Sequence, residues 1–225
     1  MSSIAGNVES VRARMNQATE RAGRLPSEVT LVAVTKRQPA AAVLEVLAAG
    51  VSDLGENYVQ EAAEKRGLIW PSQITAARWH LMGHLQSNKA KTAVSLFDLI
   101  QSVDSVKLAR ELGKQAVAAG KTPDVLLQVH LGDEATKSGV APDQALDAAA
   151  EMAVIPGLRL TGLMGIAPNG QEARPYFQEL HRLFERLPAP NRQTLSMGMT
   201  NDFETAIEEG ATMIRVGTAI FGPRV

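Results

Sequence analysis

Eight short apolar runs, each followed by a longer stretch with helical spacing, succeed one another along the 225-residue chain. The strand-like runs cover 30–36 (TLVAVTK), 51–56 (VSDLGE), 78–83 (RWHLMG), 97–103 (FDLIQSV), 124–130 (DVLLQVH), 159–165 (RLTGLMG), 194–198 (TLSMG) and 213–217 (MIRVG). Between them, helices are predicted over 39–49, 58–66, 87–94, 105–119, 142–153, 175–187 and 201–209. In 175–187, for instance, Phe177, Leu180, Phe184 and Leu187 step by 3, 4 and 3, which lines them along one face. Pro39, Pro142 and Pro175 stand at first-turn positions, Asn201 and Glu204 have capping-box spacing, and Gly50, Gly120 and Gly210 follow helix ends. Regular alternation of this kind makes the strands parallel and the helices their crossovers, and eight units predict a closed barrel rather than an open doubly wound sheet. The absence of a dinucleotide-binding glycine fingerprint after an early strand argues the same way. Ahead of the first strand, Ile4, Val8, Val11, Met15, Ala18 and Ala22 recur at helical steps and predict an extra amino-terminal helix. The expected fold class is therefore α/β: a single-domain (β/α)8 TIM barrel over residues 1–225, with no linker or composition break to divide it.

Charge and cysteine usage remove several functions. Lys plus Arg number 23 against 24 Asp plus Glu, and without a basic excess or stripe the chain is not expected to bind nucleic acid through phosphate neutralisation. With no cysteine there is no disulfide framework, thiol nucleophile or thiolate zinc site. The first 24 residues mix Glu9, Arg12, Arg14, Glu20 and Arg21 with their apolar positions, and no run reaches 18 apolar residues. Neither a leader nor a membrane span is expected, and the chain reads as a soluble, cytoplasmic protein.

In a barrel of this type chemistry sits at the carboxyl ends of the strands. Those ends carry Lys36, Glu56 with Asn57, residues 80–83, Ser102, His130, Met164 with Gly165, residues 196–198 and residues 215–217. Parity points Arg215 inward, because Ile214 and Val216 on either side of it must face the helices. Lys36 shares a face with Val32 and Val34; a lysine just past a strand is most simply a solvated loop residue, so its position alone carries little. More weight comes from SMGMTN at 196–201 and RVGT at 215–218, two successive strand-to-helix turns with glycine and hydroxyls. Loops after the seventh and eighth strands are where barrels commonly hold phosphate, since backbone N–H groups converge there on an anion. A lysine on the first strand facing such a cradle suggests a phosphorylated carbonyl compound held as a Schiff base.

Taken together, the motifs VAVTK ending at Lys36, GENYVQE at 55–61, WHLMGHLQSNK at 79–89, SGV at 138–140, GLMGI at 162–166, LSMGMTNDFETAI at 195–207 and RVGTAIFG at 215–222 resemble those of the pyridoxal phosphate homeostasis proteins, the YggS/PROSC family. The resemblance spans essentially the whole chain. It implies a barrel like the amino-terminal domain of alanine racemase, of PLP fold-type III, binding pyridoxal 5′-phosphate (PLP) as cofactor. Lys36 matches the Schiff-base lysine, Asn57 a position in the cofactor pocket, Ser196, Gly198, Met199, Gly217 and Thr218 the phosphate loops, and Arg215 the arginine facing the pyridine nitrogen. A cation at that nitrogen disfavours the pyridinium form and weakens the ring as an electron sink. Four positions depart from the family's usual residues: His130 for Asn, Gly165 for Ala or Thr, and Thr200-Asn201 for Ser-Asp. Thr200 keeps the hydroxyl and Asn201 can still cap a helix. His130 reads as a rim histidine hydrogen-bonded to a neighbouring loop.

The remaining polar standouts are given plainer readings. His80 and His84 lack an HExxH context and thiolate partners, so no metal is expected. His181, among Glu179, Arg182 and Glu185, reads as solvated, and Tyr58 either lines the pocket or packs.

Two functional classes follow. One is a non-catalytic PLP carrier for homeostasis, a monomer that holds the cofactor on Lys36 and delivers it to acceptor enzymes. The alternative is a PLP-dependent amino-acid racemase; in related racemases the second base is a tyrosine from a carboxyl-terminal β domain, and only eight residues follow Gly217 here, which favours the carrier. A lysine aldolase on the same barrel is a third reading.

Overall fold

The eight runs are strands, and they close on one another. A computed structural model, which describes residues 3–69, 77–132 and 138–223, arranges β1 (Thr30–Val34), β2 (Asp53–Glu56), β3 (Arg78–Leu81), β4 (Leu99–Val103), β5 (Asp124–Val129), β6 (Arg159–Gly165), β7 (Thr194–Ser196) and β8 (Met213–Val216) as one closed parallel barrel in sequence order. The closing pair β1–β8 sets Val32 beside Arg215. Around it lie α1 (Ile4–Arg21), α2 (Ala40–Ala48), α3 (Val59–Leu68), α4 (Ala90–Leu96), α5 (Val106–Ala118), α6 (Ala145–Ala153), α7 (Arg174–Glu185), α8 (Phe203–Glu208) and α9 (Thr218–Phe221). No helix among the described residues is long and apolar enough to cross a membrane.

Alternation along the strands divides the apolar residues into two cores. Val32, Leu99, Leu126, Met164 and Met213 fill the barrel. A larger cluster, including Ala33, Leu54, Leu81, Ile100, Leu127, Ile214 and Val216, lies between the sheet and the helices. Each fully buried aliphatic side chain adds about 1.5–3 kcal/mol of transfer free energy, which makes a one-residue slip of any strand prohibitive. This register turns Arg215 inward, as parity requires, and carries Lys36 on the face of Val32 and Val34.

Several element ends differ from expectation. The ladder stops short of Lys36, Gly83, Gly198 and Gly217, which belong to the rim loops. Gly198 has φ +90, and a Cβ there would stand 2.5 Å from Ala206 Cβ, so the chain cannot continue as a strand. Three-residue 3-10 turns at Ser87–Lys89 and Pro142–Gln144 precede α4 and α6. The capping box at Asn201 does not form: Asp202 is the N-cap of α8, and Glu204 is drawn away by a two-pronged ion pair with Arg14 at 3.0 and 2.9 Å. His181 is not simply solvated; its Nδ1 donates to the Glu209 carbonyl at 2.6 Å.

The last two helices are short, six and four residues, and α1 covers the side of the barrel they leave open. Val8, Val11, Met15 and Ala18 are buried there. Arg14 lies over the Phe203 ring, 4.5 Å from its centre, Arg21 pairs with Glu208 at 2.8 Å, and Asn7 donates to the Ile220 carbonyl at 2.8 Å.

Candidate functional site

At the carboxyl ends of β1, β6, β7 and β8 the rim loops enclose a cavity of about 700 Å3, within the size range of small-molecule sites. Lys36 enters it from the β1 side, two residues past the strand. Met199, Thr200, Asn201 and Asp202 come from the loop after β7, Gly217 and Thr218 from the turn after β8, and residues 167–171 from the loop after β6. Arg215 closes the floor.

Arg215 is the one strong cation held inside the barrel among the described residues, 4% exposed. Its Nη1 donates to Ser196 Oγ at 2.7 Å and its Nη2 to the Gly165 carbonyl at 2.9 Å. Burial lowers its pKa to about 10, with Asp202 pulling the other way, so the guanidinium remains charged at neutral pH. Both of its protein partners are neutral, and a guanidinium carries five N–H donors, more than these two bonds use.

The loops after β7 and β8 depend on close backbone approach. A Cβ on Gly217 would lie 3.3 Å from Val34 Cβ, which is why the β8 turn can pass beside β1. Thr200 Oγ1 accepts from the Ala219 N–H at 3.4 Å, tying the two loops together, while the Met199 N–H donates to Asp202 Oδ1 at 2.6 Å. Thr218 opens α9 and lines the cavity.

Behind Lys36 lies a buried ionic cluster that sequence reading did not anticipate. Lys65 from α3 donates to Glu56 Oε1 and Glu61 Oε1, each at 2.7 Å, and Thr35 Oγ1 donates to Glu56 Oε1 at 2.6 Å. Burial raises the Glu56 carboxyl above its ordinary range despite Lys65 and Thr35, and its Oε2 has no hydrogen-bond partner.

A family model for the alanine racemase N-terminal domain matches residues 6–225. The pyridoxal phosphate homeostasis protein of Pseudomonas aeruginosa is 44% identical over 226 residues, covering 100% of this chain and 97% of that protein. This chain belongs to the pyridoxal phosphate homeostasis protein family. The Escherichia coli K12 member is 40% identical over 229 residues, covering 100% of this chain and 98% of its own. Among solved structures, PipY of Synechococcus elongatus with PLP bound matches at a TM-score of 0.83 and 38% identity, covering 97% of this chain and 100% of PipY.

In this member of the pyridoxal phosphate homeostasis family, Lys36, Met199, Arg215, Gly217 and Thr218 meet at one cavity. Asn57, Ser196 and Gly198 do not line it. The Asn57 backbone packs against Gly83, where a Cβ would stand 2.1 Å from the Asn57 carbonyl oxygen. Ser196 is fully buried, accepting from Arg215 and donating to Gln101 Oε1 at 2.6 Å, so its hydroxyl reaches the cavity only through Arg215. His130 joins the neighbouring loop through its backbone, its N–H donating to the Val140 carbonyl at 2.9 Å, and stands outside the lining. Arg37, Gln38 and Asp202 line the cavity without having been singled out by sequence. For Asp202 a signal existed, since either Asn201 or Asp202 can cap a helix. No group of three or more His, Asp or Glu side chains suited to a metal occurs among the described residues.

Proposed function

We propose that this chain binds PLP and serves intracellular PLP homeostasis, holding the cofactor on Lys36 and releasing it to acceptor enzymes. One observation carries the reading: a single cavity joins a rim lysine, a buried cation on its floor and two glycine-dependent loops on the far wall. That donor set suits PLP. The Lys36 amine is placed to condense with an aldehyde, forming a carbon–nitrogen double bond and releasing water. Thr218, Met199 and Gly217 would hold the phosphate, and Arg215 the ring nitrogen; Ser196 and Gly198 hydrogen-bond Arg215 from behind, while Asn57 packs on Gly83. PipY, solved with PLP bound, supports the assignment at 38% identity.

Carrier rather than enzyme is the role this arrangement favours. PLP supplies an electron sink to enzymes that make carbanions, and a permanent cation at the ring nitrogen weakens that sink. The same reading makes the chain a single-domain, cytoplasmic monomer without nucleic-acid or membrane partners, in keeping with its near-zero net charge.

The test is an absorption spectrum of the purified protein with added PLP, followed by borohydride reduction and mass analysis. An imine band and a reduced adduct on Lys36 are expected; a band fully retained in Lys36→Ala would overturn the assignment. Incorporation of solvent deuterium into amino acids at enzymatic rates would replace the carrier with a racemase.

A further inference from the structure

Below Arg215 the barrel interior holds a row of polar side chains that the cavity does not use. Asp53 Oδ1 lies 3.0 Å from His80 Nε2, His80 Nδ1 lies 2.9 Å from Gln101 Nε2, Gln101 Oε1 lies 2.6 Å from Ser196 Oγ, and Ser196 Oγ lies 2.7 Å from Arg215 Nη1. His80, Gln101 and Ser196 are fully buried. Asp53 is the first residue of β2, so the row runs from the amino-terminal mouth of the barrel to the floor of the cavity at the other end.

Its two ends determine its direction. A guanidinium can only donate, and an ionised carboxylate can only accept. Arg215 therefore donates to Ser196, whose single proton goes to Gln101 Oε1; the Gln101 amide then donates to His80 Nδ1, which leaves the imidazole proton on Nε2 for Asp53. No link can reverse without leaving a buried donor or acceptor unpaired. The ionisation directions agree with this ordering. Burial lowers the His80 pKa against the pull of Asp53, keeping the ring neutral. For Asp53 burial works upward, but donation from His80 and the nearby Arg78 charge bring the carboxyl below its ordinary range. The His80–Asp53 contact is thus a hydrogen bond from a neutral ring to a carboxylate, not an ion pair.

We propose that Asp53, His80 and Gln101 are positioning residues for Arg215: the one-way chain presents Ser196 to the guanidinium as an acceptor and thereby sets where its remaining N–H donors point in the cavity. The consequence for cofactor binding rests on the PLP reading above; the polarity of the chain belongs to the protein without ligand.

The deciding experiment is long-range proton–nitrogen NMR on ligand-free, nitrogen-15-labelled protein. His80 should show the Nε2–H tautomer at neutral pH. Asp53→Asn puts a group that both donates and accepts at the end of the chain, so a second His80 tautomer and displaced Arg215 side-chain signals are expected, although Asp53 does not touch Arg215. Gln101→Met, of similar shape, cuts the chain in the middle and should displace the same Arg215 signals; it tests the idea independently if one variant folds poorly. An Nδ1–H or doubly protonated His80 in the parent, or Arg215 signals unmoved in both variants, overturns the proposal. With PLP added, both variants should bind it about 3- to 30-fold more weakly, the range for coupling carried through intervening side chains. A parent protein that takes up no PLP would sink the functional reading while the ligand-free signals still decide the chain.

Discussion

The Lys65 ammonium donates to the carbonyl oxygen of Thr35 at 2.5 Å, on the peptide group that leads into Lys36. On the other side of Lys36, the Arg37 N–H donates to Glu61 Oε1, and Arg37 sits at φ +60, in the left-handed region that side-chain-bearing residues seldom adopt. Lys65 and Glu61 are themselves paired on α3 at i and i+4. One ion pair thus grips both peptide groups of the lysine assigned to PLP. Lys65→Met strands Glu56 as a buried charge, so it should cost about 3–5 kcal/mol in urea unfolding. Adding Glu56→Gln should recover part of that loss; a single-variant cost below about 1 kcal/mol would show that the cluster holds nothing.

Glycine substitutions separate tight from open backbone. Gly83→Ala drives a methyl into the Asn57 carbonyl, a backbone atom that no rotamer change can remove, and a loss of about 1–3 kcal/mol or more is expected together with weaker PLP capture. Gly67, inside α3, has nothing within 4 Å of the point where an alanine methyl would stand, so Gly67→Ala should gain about 0.5–1 kcal/mol. Denaturant midpoints of the two variants moving in the same direction would contradict this contrast.

Acid should loosen the seam between α1 and the end of the chain first. Donation from Arg14 holds the Glu204 carboxyl below its ordinary value, and donation from Arg174 and then Arg21 does the same for Glu208. Depressed carboxylates stabilise the fold above the unfolded-state value, near 4.5, and that stabilisation disappears as pH falls through the lower folded values. Arg14→Gln should therefore lower the melting temperature at pH 7 and leave it nearly unchanged near pH 3. An equal drop at both values would assign Arg14 to packing on Phe203 instead.

At the loops proposed to hold phosphate, Thr218→Val removes the hydroxyl of a cavity-lining residue while keeping the side chain's shape. PLP retention measured by dialysis should fall about 10- to 150-fold, the equivalent of one hydrogen bond to a charged group, with the melting temperature of the ligand-free protein unaffected. Thr200→Val should weaken retention less, because that hydroxyl already accepts from Ala219.

What was readable in the sequence was what local rules decide. Arg215 faces inward because Ile214 and Val216 on either side are apolar, and a strand allows only two parities. Strand count followed from alternation alone. The ends of elements were less legible, because β1 stops short of Lys36 where α3 takes over its backbone partners, Lys65 at the Thr35 carbonyl and Glu61 at the Arg37 N–H. His181 looked solvated because its partner, the Glu209 carbonyl, is 28 residues away. The interior chain was invisible for the same reason: Asp53, His80, Gln101 and Ser196 sit on four different strands, and only closure of the barrel brings them into a line.

The seating of α1 against α8 and α9 has a consequence for synthesis. Arg14 meets Glu204 across 190 positions, and Asn7 meets Ile220 across 213. A ribosome delivers the first partner of each pair long before the second, so the part of α1 that seats on α8 and α9 must wait, uncovered, until residues beyond 200 have emerged. Contacts of such long range slow folding and prolong exposure of adhesive surface. The nascent protein is most vulnerable to aggregation along that face of α1, which is the surface a chaperone would have to shield.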